Sequence, residues 1–179
     1  RLRSRDVQEM DDSIRGYEDL VMYNLEAGEA MLTKDNDVDI FIDGNEKFRA
    51  LMEDLRNAEH FIHIQYYIFC DDEIGNKVKT LLMEKAREGV EVRLLYDDVG
   101  CWKVKDKFFN EMKDAGIEVN AFLKVAFPVL TSKVNYRNHR KIVVIDGKVG
   151  FMGGMNIADR YTKGTDWGTW RDTHFKITG

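Results

Sequence analysis

Short strand-like segments alternate with amphipathic helical segments through the first two thirds of the chain, and this order constrains the fold more than any other feature. The segment HFIHIQYYIFC is rich in aromatic and β-branched residues and predicts a buried strand. Apolar residues at helical spacing predict the intervening helices. The predicted strands are 38–42, 60–70, 90–96 and 117–122, and the predicted helices are 44–58, 74–87 and 104–115. This series predicts an α/β fold with a mixed, mostly parallel sheet flanked by helices on both faces.

The alternation changes in the last third of the chain. Two apolar runs, His139–Ile145 and Val149–Met152, are joined by Asp146-Gly147-Lys148, and Asp-Gly between apolar runs is a strong hairpin signal. Residues 170–178 alternate between apolar and polar and predict a closing strand. We therefore predict a single domain over residues 38–179. Residues 1–37 are charged, with weak helical periodicity, and the sequence does not predict their structure.

Composition indicates a soluble globular chain. Of the 179 residues, 44% are apolar and 33% are charged, which is the balance of a folded domain. No run of about 18 apolar residues is present, so no membrane-spanning helix is predicted. The chain opens with RLRSRD and without a methionine, so we expect it to be part of a longer protein. Cys70 and Cys101 lack metal-binding spacing and are interpreted as reduced thiols.

Charge is distributed unevenly along the chain. The net charge of −5 argues against a general nucleic-acid partner. The segment from Lys124 to Lys148, however, contains six basic residues and one acidic residue. A basic segment in an acidic protein predicts an anionic ligand at one place.

The basic segment contains NHRKIVVIDGKVGFMGGMN, in which residues suited to phosphate chemistry recur at short intervals. On a strand, His139 and Lys141 share one face, about 6.6 Å apart. Gly153 and Gly154 allow close approach of the backbone to a ligand, and a helix beginning near Asn156 offers unpaired N–H groups to an anion. Each residue also has a structural alternative: a strand histidine, a solvated lysine, a hairpin turn at Asp146, a bulge at the glycines and an N-cap at Asn156.

The full pattern, H-x-K-x4-D-x6-G-G-x-N, resembles the HKD signature of the phospholipase D superfamily. The resemblance implies catalysis through a phosphohistidine intermediate, with a second histidine as general acid and base and with no metal or other cofactor. It assigns catalytic roles to His139, Lys141 and Asp146. It assigns phosphate binding to Lys141, Gly153, Gly154 and Asn156.

The flanking segments HIQYYIFCDDEIG, KAREGVEVRLLYDDVG and WRDTHFKITG resemble the first catalytic lobe of bacterial cardiolipin synthases. This resemblance covers nearly everything from Val38 onward. It implies transfer of a phosphatidyl group from one phosphatidylglycerol to the hydroxyl of another, with release of glycerol. Cys101 departs from the pattern, because relatives usually carry serine there, and a thiol makes a weaker hydrogen bond.

One HKD motif supplies one of the two histidines that this mechanism needs, and therefore half of the active site. The segment His174-Phe175-Lys176 is a second H-x-K, but no aspartate follows it, so we interpret it as part of the closing strand. The second histidine is expected from a second HKD lobe or from a symmetric homodimer. The alternatives are a phospholipase D-type phosphodiesterase, a dimeric single-motif endonuclease, and a non-catalytic lobe that binds phosphate or lipid.

The expected partners are phosphatidylglycerol, other anionic phospholipids and the membrane surface, with no nucleic acid. The full-length protein is expected at the cell membrane with its catalytic part on the cytoplasmic face, whereas this chain by itself is expected to be soluble. The sequence also suggests a lipid entrance in AFLKVAFPVL, where Phe127, Val129 and Leu130 would meet the lipid, with Lys124 and Lys133 near its headgroup. The alternative is that this tract packs against a second lobe or within the core of this domain.

Overall fold

The computed structural model describes residues 15–28, 33, 35–124 and 136–179, and divides the chain into two compact units, residues 1–36 and 37–179. In the first unit, helix α1 spans Glu18–Gly28. None of the helices in the described residues is long and apolar enough to span a bilayer. The predicted lipid entrance at Phe127, Val129 and Leu130, together with Lys133, lies outside the described residues.

The second unit is built on a seven-stranded sheet in its described part. Its helices are α2 (Gly44–Arg56), α3 (Glu73–Arg87), α4 (Asp106–Asp114) and the short α5 (Arg160–Lys163). Its strands are β1 (Asp37–Phe41), β2 (Phe61–Tyr66), β3 (Glu91–Asp97), β4 (Glu118–Phe122), β5 (Ile142–Ile145), β6 (Val149–Gly153) and β7 (His174–Thr178). Across the sheet the strand order is β1-β7-β6-β5-β2-β3-β4.

The predicted α/β architecture, a mixed sheet flanked by helices, is confirmed, and the described residues differ from the prediction in two details. First, β2, β3 and β4 pair in parallel, but the other four neighbouring pairs are antiparallel, so parallel pairing is not the majority. The reason is that the chain reverses by hairpin between β5 and β6 and returns antiparallel in β7.

Second, helices α2, α3 and α4 cover the same face of the sheet instead of both. The buried side chains of these helices and of the strands belong to one continuous core, whose strand members include Ile62, Ile64, Leu94 and Val143. Alternate residues, such as His63 and Gln65 on β2, point to the opposite face and are only partly buried. Strand β2 is therefore buried on one face and half-open on the other, although its aromatic and β-branched content suggested a fully buried strand.

The loops at one end of the sheet carry the residues of the motif other than Asp146. Strands β2, β3 and β4 end there, and β5 and β7 begin there, because β5 is antiparallel to β2 and β7 is antiparallel to β6. We call this the catalytic end of the sheet. Asp97, at the end of β3, is fully buried and accepts hydrogen bonds from the backbone N–H groups of Val99, Gly100 and Asn138, and its carboxylate pairs with Arg137. This carboxylate fixes the segment that leads into His139.

Candidate active site

His139 and Lys141 lie just before strand β5, not within it. The predicted strand 139–145 is shorter in the structure, starting at Ile142, because the preceding residues bond to Asp97 instead of to a neighbouring strand. The extended chain still brings the two side chains together. Lys141 Nζ lies 2.7 Å from Nδ1 of His139 and 2.6 Å from its carbonyl oxygen. Lys141 is buried, whereas His139 is exposed, so the imidazole stands at the surface above a buried ammonium.

The surroundings of this pair favour a neutral imidazole. Burial, followed by the charge of Lys141, lowers the pKa of His139. Burial also lowers the pKa of Lys141 to about 8, against the charge of Asp172, which raises it. Since an ammonium has no acceptor, Nδ1 of His139 is the acceptor in this contact. The ring of Tyr67 packs against His139 with the ring centres 4.4 Å apart, which fixes the orientation of the imidazole.

Gly153 and Gly154 make room for protein groups. A Cβ atom at Gly153 would lie 2.7 Å from Nδ1 of His174, and a Cβ atom at Gly154 would collide with the carboxylate of Asp172. The two glycines therefore bring Asp172 and His174 close behind the motif, where the sequence suggested close approach to a ligand. Asp172 acts electrostatically on both His139 and Lys141. Asp172 was not predicted as a site residue, although it lies in the WRDTH segment that carried the resemblance.

Asn156 is buried and both ends of its side chain are engaged. Its oxygen accepts a hydrogen bond from the N–H of Ile68 at 3.0 Å, and its nitrogen donates to the hydroxyl of Tyr161 at 2.9 Å. The predicted helix start near Asn156 is at Arg160 instead. In this structure Asn156 joins the loop after β2 to the loop after β6, and thereby holds the segment that presents Tyr67.

Asp146 is not brought together with His139. It sits in the β5–β6 hairpin, which the sequence predicted, at the opposite end of β5 and roughly 15 Å along the strand from the pair. Its carboxylate accepts hydrogen bonds from the N–H groups of Glu59, His60 and Phe61, each at 2.8 Å. Burial opposes ionisation of Asp146, but these backbone hydrogen bonds lower its pKa overall. This carboxylate therefore joins the β5–β6 hairpin to the start of β2, which is a structural role.

Cys101 makes polar contacts with the backbone of the kind that a serine hydroxyl would make. Cys101 is a buried free thiol, and Cys70 is a partly buried free thiol. The sulfur of Cys101 accepts a hydrogen bond from the N–H of Phe69 at 3.3 Å and contacts the carbonyl oxygen of Tyr67 at 3.7 Å. Burial raises the pKa of Cys101 to about 12, so the thiol stays protonated. It therefore helps to position the loop on which Tyr67 lies.

Comparison with known proteins agrees with this geometry. Residues 51–166 match the family described as "Cardiolipin synthase, PLD-like domain". The chain belongs to this family. It is 46% identical over 164 residues to a cardiolipin synthase of Oceanobacillus iheyensis, covering 91% of the chain and 34% of that protein. It is 51% identical over 137 residues to cardiolipin synthase 2 of Bacillus cereus, covering 76% of the chain and 27% of that protein. The chain thus spans about a third of the length of these relatives.

Solved structures show the same fold at low sequence identity. Nuc of Salmonella typhimurium, a phospholipase D family member, has a TM-score of 0.59 at 15% identity, covering 81% of the chain and 84% of that protein. The phosphatidylserine synthase of Haemophilus influenzae Rd KW20 has a TM-score of 0.58 at 17% identity, covering 79% of the chain and 33% of that protein. At these identities the likeness establishes the phospholipase D-like fold of this lobe.

Proposed function

We propose that this chain supplies one of two half-sites of a phosphatidyltransferase that converts two phosphatidylglycerol molecules into cardiolipin and glycerol. The observation that carries the proposal is the pair of His139 and Lys141 at the catalytic end, in a lobe of the cardiolipin synthase family. An exposed neutral imidazole has a lone pair for attack on phosphorus. The adjacent ammonium offsets the negative charge that grows on the phosphoryl oxygens in the transition state.

The transfer proceeds in two displacements, and His139 is one of two histidines that share the work. In the first, a histidine nitrogen attacks phosphorus, a P–N bond forms, and the P–O bond to glycerol breaks. The other histidine donates its proton to the departing glycerol oxygen. In the second, the hydroxyl of another phosphatidylglycerol gives its proton to that histidine, attacks phosphorus and breaks the P–N bond. The products are cardiolipin and free histidine, so atoms and charges balance.

The second histidine comes from outside the described half-site. Within the described residues, His174 is fully buried and lies on β7 behind the pair, which does not suit proton exchange with a bound alcohol. We infer that the partner is a second HKD lobe of a longer protein or a second copy of this chain. Phosphatidylglycerol and other anionic phospholipids are the ligands, at the cytoplasmic face of the cell membrane. Lys141 and Asp172 set the charge around the phosphate, and Asn156, Gly153 and Gly154 shape the loops that hold it.

A chimera tests this function. In the chimera, this chain replaces the matching segment of the Oceanobacillus iheyensis cardiolipin synthase, which retains its remaining length. Vesicles containing phosphatidylglycerol labelled in its glycerol headgroup are the substrate. We expect labelled glycerol in the water phase and labelled cardiolipin in the lipid phase, because the chimera restores a complete pair of half-sites.

The His139→Ala chimera should lose both products, by at least about a thousandfold, since the P–N bond or the proton transfer is lost. Arg140→Ala is the matched control: Arg140 is also exposed and adjacent, but its side chain forms no hydrogen bond with His139 or Lys141 in the described part of the chain, and its variant should keep most of the activity. Equal losses in the two variants contradict the assignment of His139. Release of phosphatidic acid without cardiolipin would instead identify a hydrolase.

A further inference from the structure

Exposed aromatic side chains are concentrated in the loops of the catalytic end. Among the described residues of the second unit, these loops expose several large apolar side chains, namely Trp102, Leu123, Tyr136, Trp167 and Trp170. The turns at the opposite end of the sheet, residues 57–60, 88–90, 115–117 and 146–148, expose none. The contrast between the two ends shows that this exposure is localised, and exposed apolar clusters of this kind mark interaction surfaces.

Trp167 is the most exposed of these residues, at 97%. It lies in a tight turn closed by two backbone hydrogen bonds between Thr165 and Gly168, at 2.8 and 2.9 Å. The N–H of Trp167 also donates to the hydroxyl of Thr165. The turn is therefore held by its own hydrogen bonds, and it presents the indole ring to solvent. Complete exposure of so large an apolar ring is unfavourable in water.

The loops that carry these apolar side chains also carry basic side chains. The exposed cations of the same loops are Lys103, Lys105, Lys124, Arg140 and Arg171. They are interspersed with the exposed carboxylates of Asp106 and Asp166, and two further carboxylates, Asp43 and Asp71, are exposed on neighbouring loops of the same end. Cations outnumber anions here, although the whole chain carries a net charge of −5. Tryptophan and tyrosine rings among basic side chains are the residues that bind the interface of an anionic bilayer.

A cavity of about 470 Å³ opens beside Trp167 and is also lined by Arg160, Trp170 and Arg171. The guanidinium of Arg160 lies 5.0 Å from the centre of the Trp170 ring, and its buried Nε has no hydrogen-bond partner among the described residues. A guanidinium held against an aromatic ring and open to the cavity suits the phosphate of a lipid headgroup. The same charge is close enough to act on Lys141.

We propose that the catalytic end of this lobe is a membrane-docking surface, with Trp167 inserted into the interface of an anionic phospholipid bilayer and the basic residues of the same loops on its headgroups. The inference rests on the proposed function, because phosphatidylglycerol resides in the bilayer and the site must meet it there. It goes beyond that function by assigning the contact to specific loops of the catalytic lobe itself. Docking in this orientation directs His139 toward the headgroup layer.

Tryptophan fluorescence of the 179-residue chain tests insertion directly. The chain has three tryptophans, so a Trp102→Phe, Trp170→Phe variant retains Trp167 as the sole emitter. Vesicles of phosphatidylglycerol and phosphatidylcholine, mixed 1:1, should shift its emission to shorter wavelength, and brominated acyl chains should quench it. Phosphatidylcholine vesicles should produce a much smaller shift, and added salt should weaken binding, since charges contribute. Unchanged emission on vesicle-bound protein overturns the proposal.

Vesicle sedimentation provides the matched comparison. Trp167→Ala should weaken partition to the 1:1 vesicles about tenfold, the effect of losing part of one buried ring. Val38→Ala is the control, because Val38 is 53% exposed on the edge strand β1 and pairs with Ile177 near the opposite end of the sheet. Equal weakening by both variants, or none by Trp167→Ala, contradicts docking through Trp167. An emission shift that depends on protein concentration without vesicles identifies a protein interface instead, and also overturns it.

Insertion of Trp167 into vesicles and turnover of the chimera are separate measurements, so this inference and the proposed function can fail independently. If Trp167 inserts but the chimera makes no cardiolipin, the function is wrong and the docking surface remains. If the chimera is active but Trp167 neither shifts nor contributes to binding, the docking surface is wrong and the function remains.

Discussion

At the scale of single residues, the motif combines groups that meet the substrate with groups that hold the fold. His139 is exposed, while Lys141 and Asn156 are buried. The side-chain oxygen and nitrogen of Asn156 are hydrogen-bonded to Ile68 and Tyr161, respectively. Asp146 is remote from the pair and bonds only to backbone in the described residues. A shared motif therefore does not imply a shared role.

Asp146 gives a test of that distinction. We expect Asp146→Ala to lower the free energy of unfolding by roughly 2 kcal/mol, because the N–H groups of residues 59–61 lose a charged acceptor. Per folded molecule, the activity of the chimera should stay close to that of the unchanged chain. Urea unfolding of the 179-residue chain and the turnover of the chimera are the two measurements.

Asp146→Asn is the matched control for this prediction. It keeps a side-chain oxygen as acceptor and tolerates the positive φ of 53° at this position, so it should cost less stability than alanine. A large loss of turnover with unchanged stability in either variant would show that Asp146 has the catalytic role that the motif suggested.

At the scale of elements, the approach of β6 to the segment before β7 determines what lies beneath the site. Gly154, directly after β6, leaves space for Asp172, whereas Gly150, within β6, has its nearest neighbour 4.0 Å from a Cβ atom. We expect Gly154→Ala to lower the unfolding free energy by about 1–3 kcal/mol through overpacking. It should also lower chimera turnover, because Asp172 is displaced.

Gly150→Ala should change stability by less than about 1 kcal/mol and leave turnover intact. Thermal unfolding of the two variants, side by side, makes the comparison. Similar losses from both would mean that glycine is required along all of β6 for flexibility, and not at one point of close approach.

The element boundaries show what could be predicted from the sequence. Helix α2, predicted at 44–58, spans Gly44–Arg56, and α3, predicted at 74–87, spans Glu73–Arg87, because apolar spacing and capping residues are local signals. The hairpin at Asp146-Gly147 is also local, with both residues at positive φ. The start of β5 was misplaced because it depends on Asp97, some forty residues earlier in the chain.

The motif predicts which residues form the candidate site, but it does not predict how they are arranged. The spacing of His139 and Lys141 was sufficient to bring them together. The residues that position this pair or act on its charge could not be predicted from the motif, because Asp97, Asp172 and Tyr67 come from three other segments. The parallel share of the sheet was overestimated for a related reason. Alternating strands and helices describe only β1 to β4, and β1 itself pairs with the distant β7.

At the scale of the whole molecule, basic groups are buried directly behind the site. Lys47 is fully buried, its Nζ donates to the hydroxyl of Tyr66 at 3.0 Å, and Nζ lies 3.8 Å from the ring centre of Phe48. His174 is also fully buried, and neither of its ring nitrogens has a hydrogen-bond partner among the described residues. Burial lowers the pKa of Lys47 well below its usual value. The fold therefore favours neutral forms of both groups.

His174 makes the stability of the whole domain depend on pH. Burial, with the charges of Lys47 and Lys141, lowers its pKa to about 3 from an ordinary value of 6.5. Between these values the unfolded chain binds a proton that the folded chain does not, so stability falls as pH falls from 6.5 toward 3. The slope from this one group is at most about 1.4 kcal/mol per pH unit. His174→Phe removes the group, and should flatten the dependence of unfolding free energy on pH.

Urea unfolding between pH 5 and 8 measures this difference. Above pH 6.5 the curves of the unchanged chain and of His174→Phe should run parallel, because His174 is then neutral in both the folded and unfolded states. Between pH 6.5 and 5 the unchanged chain should lose stability faster. The lowered pKa of Asp146 acts below about 3.8 and leaves this window unaffected. Parallel curves throughout would mean that His174 takes up a proton in the folded domain, and that the space behind Lys141 admits water.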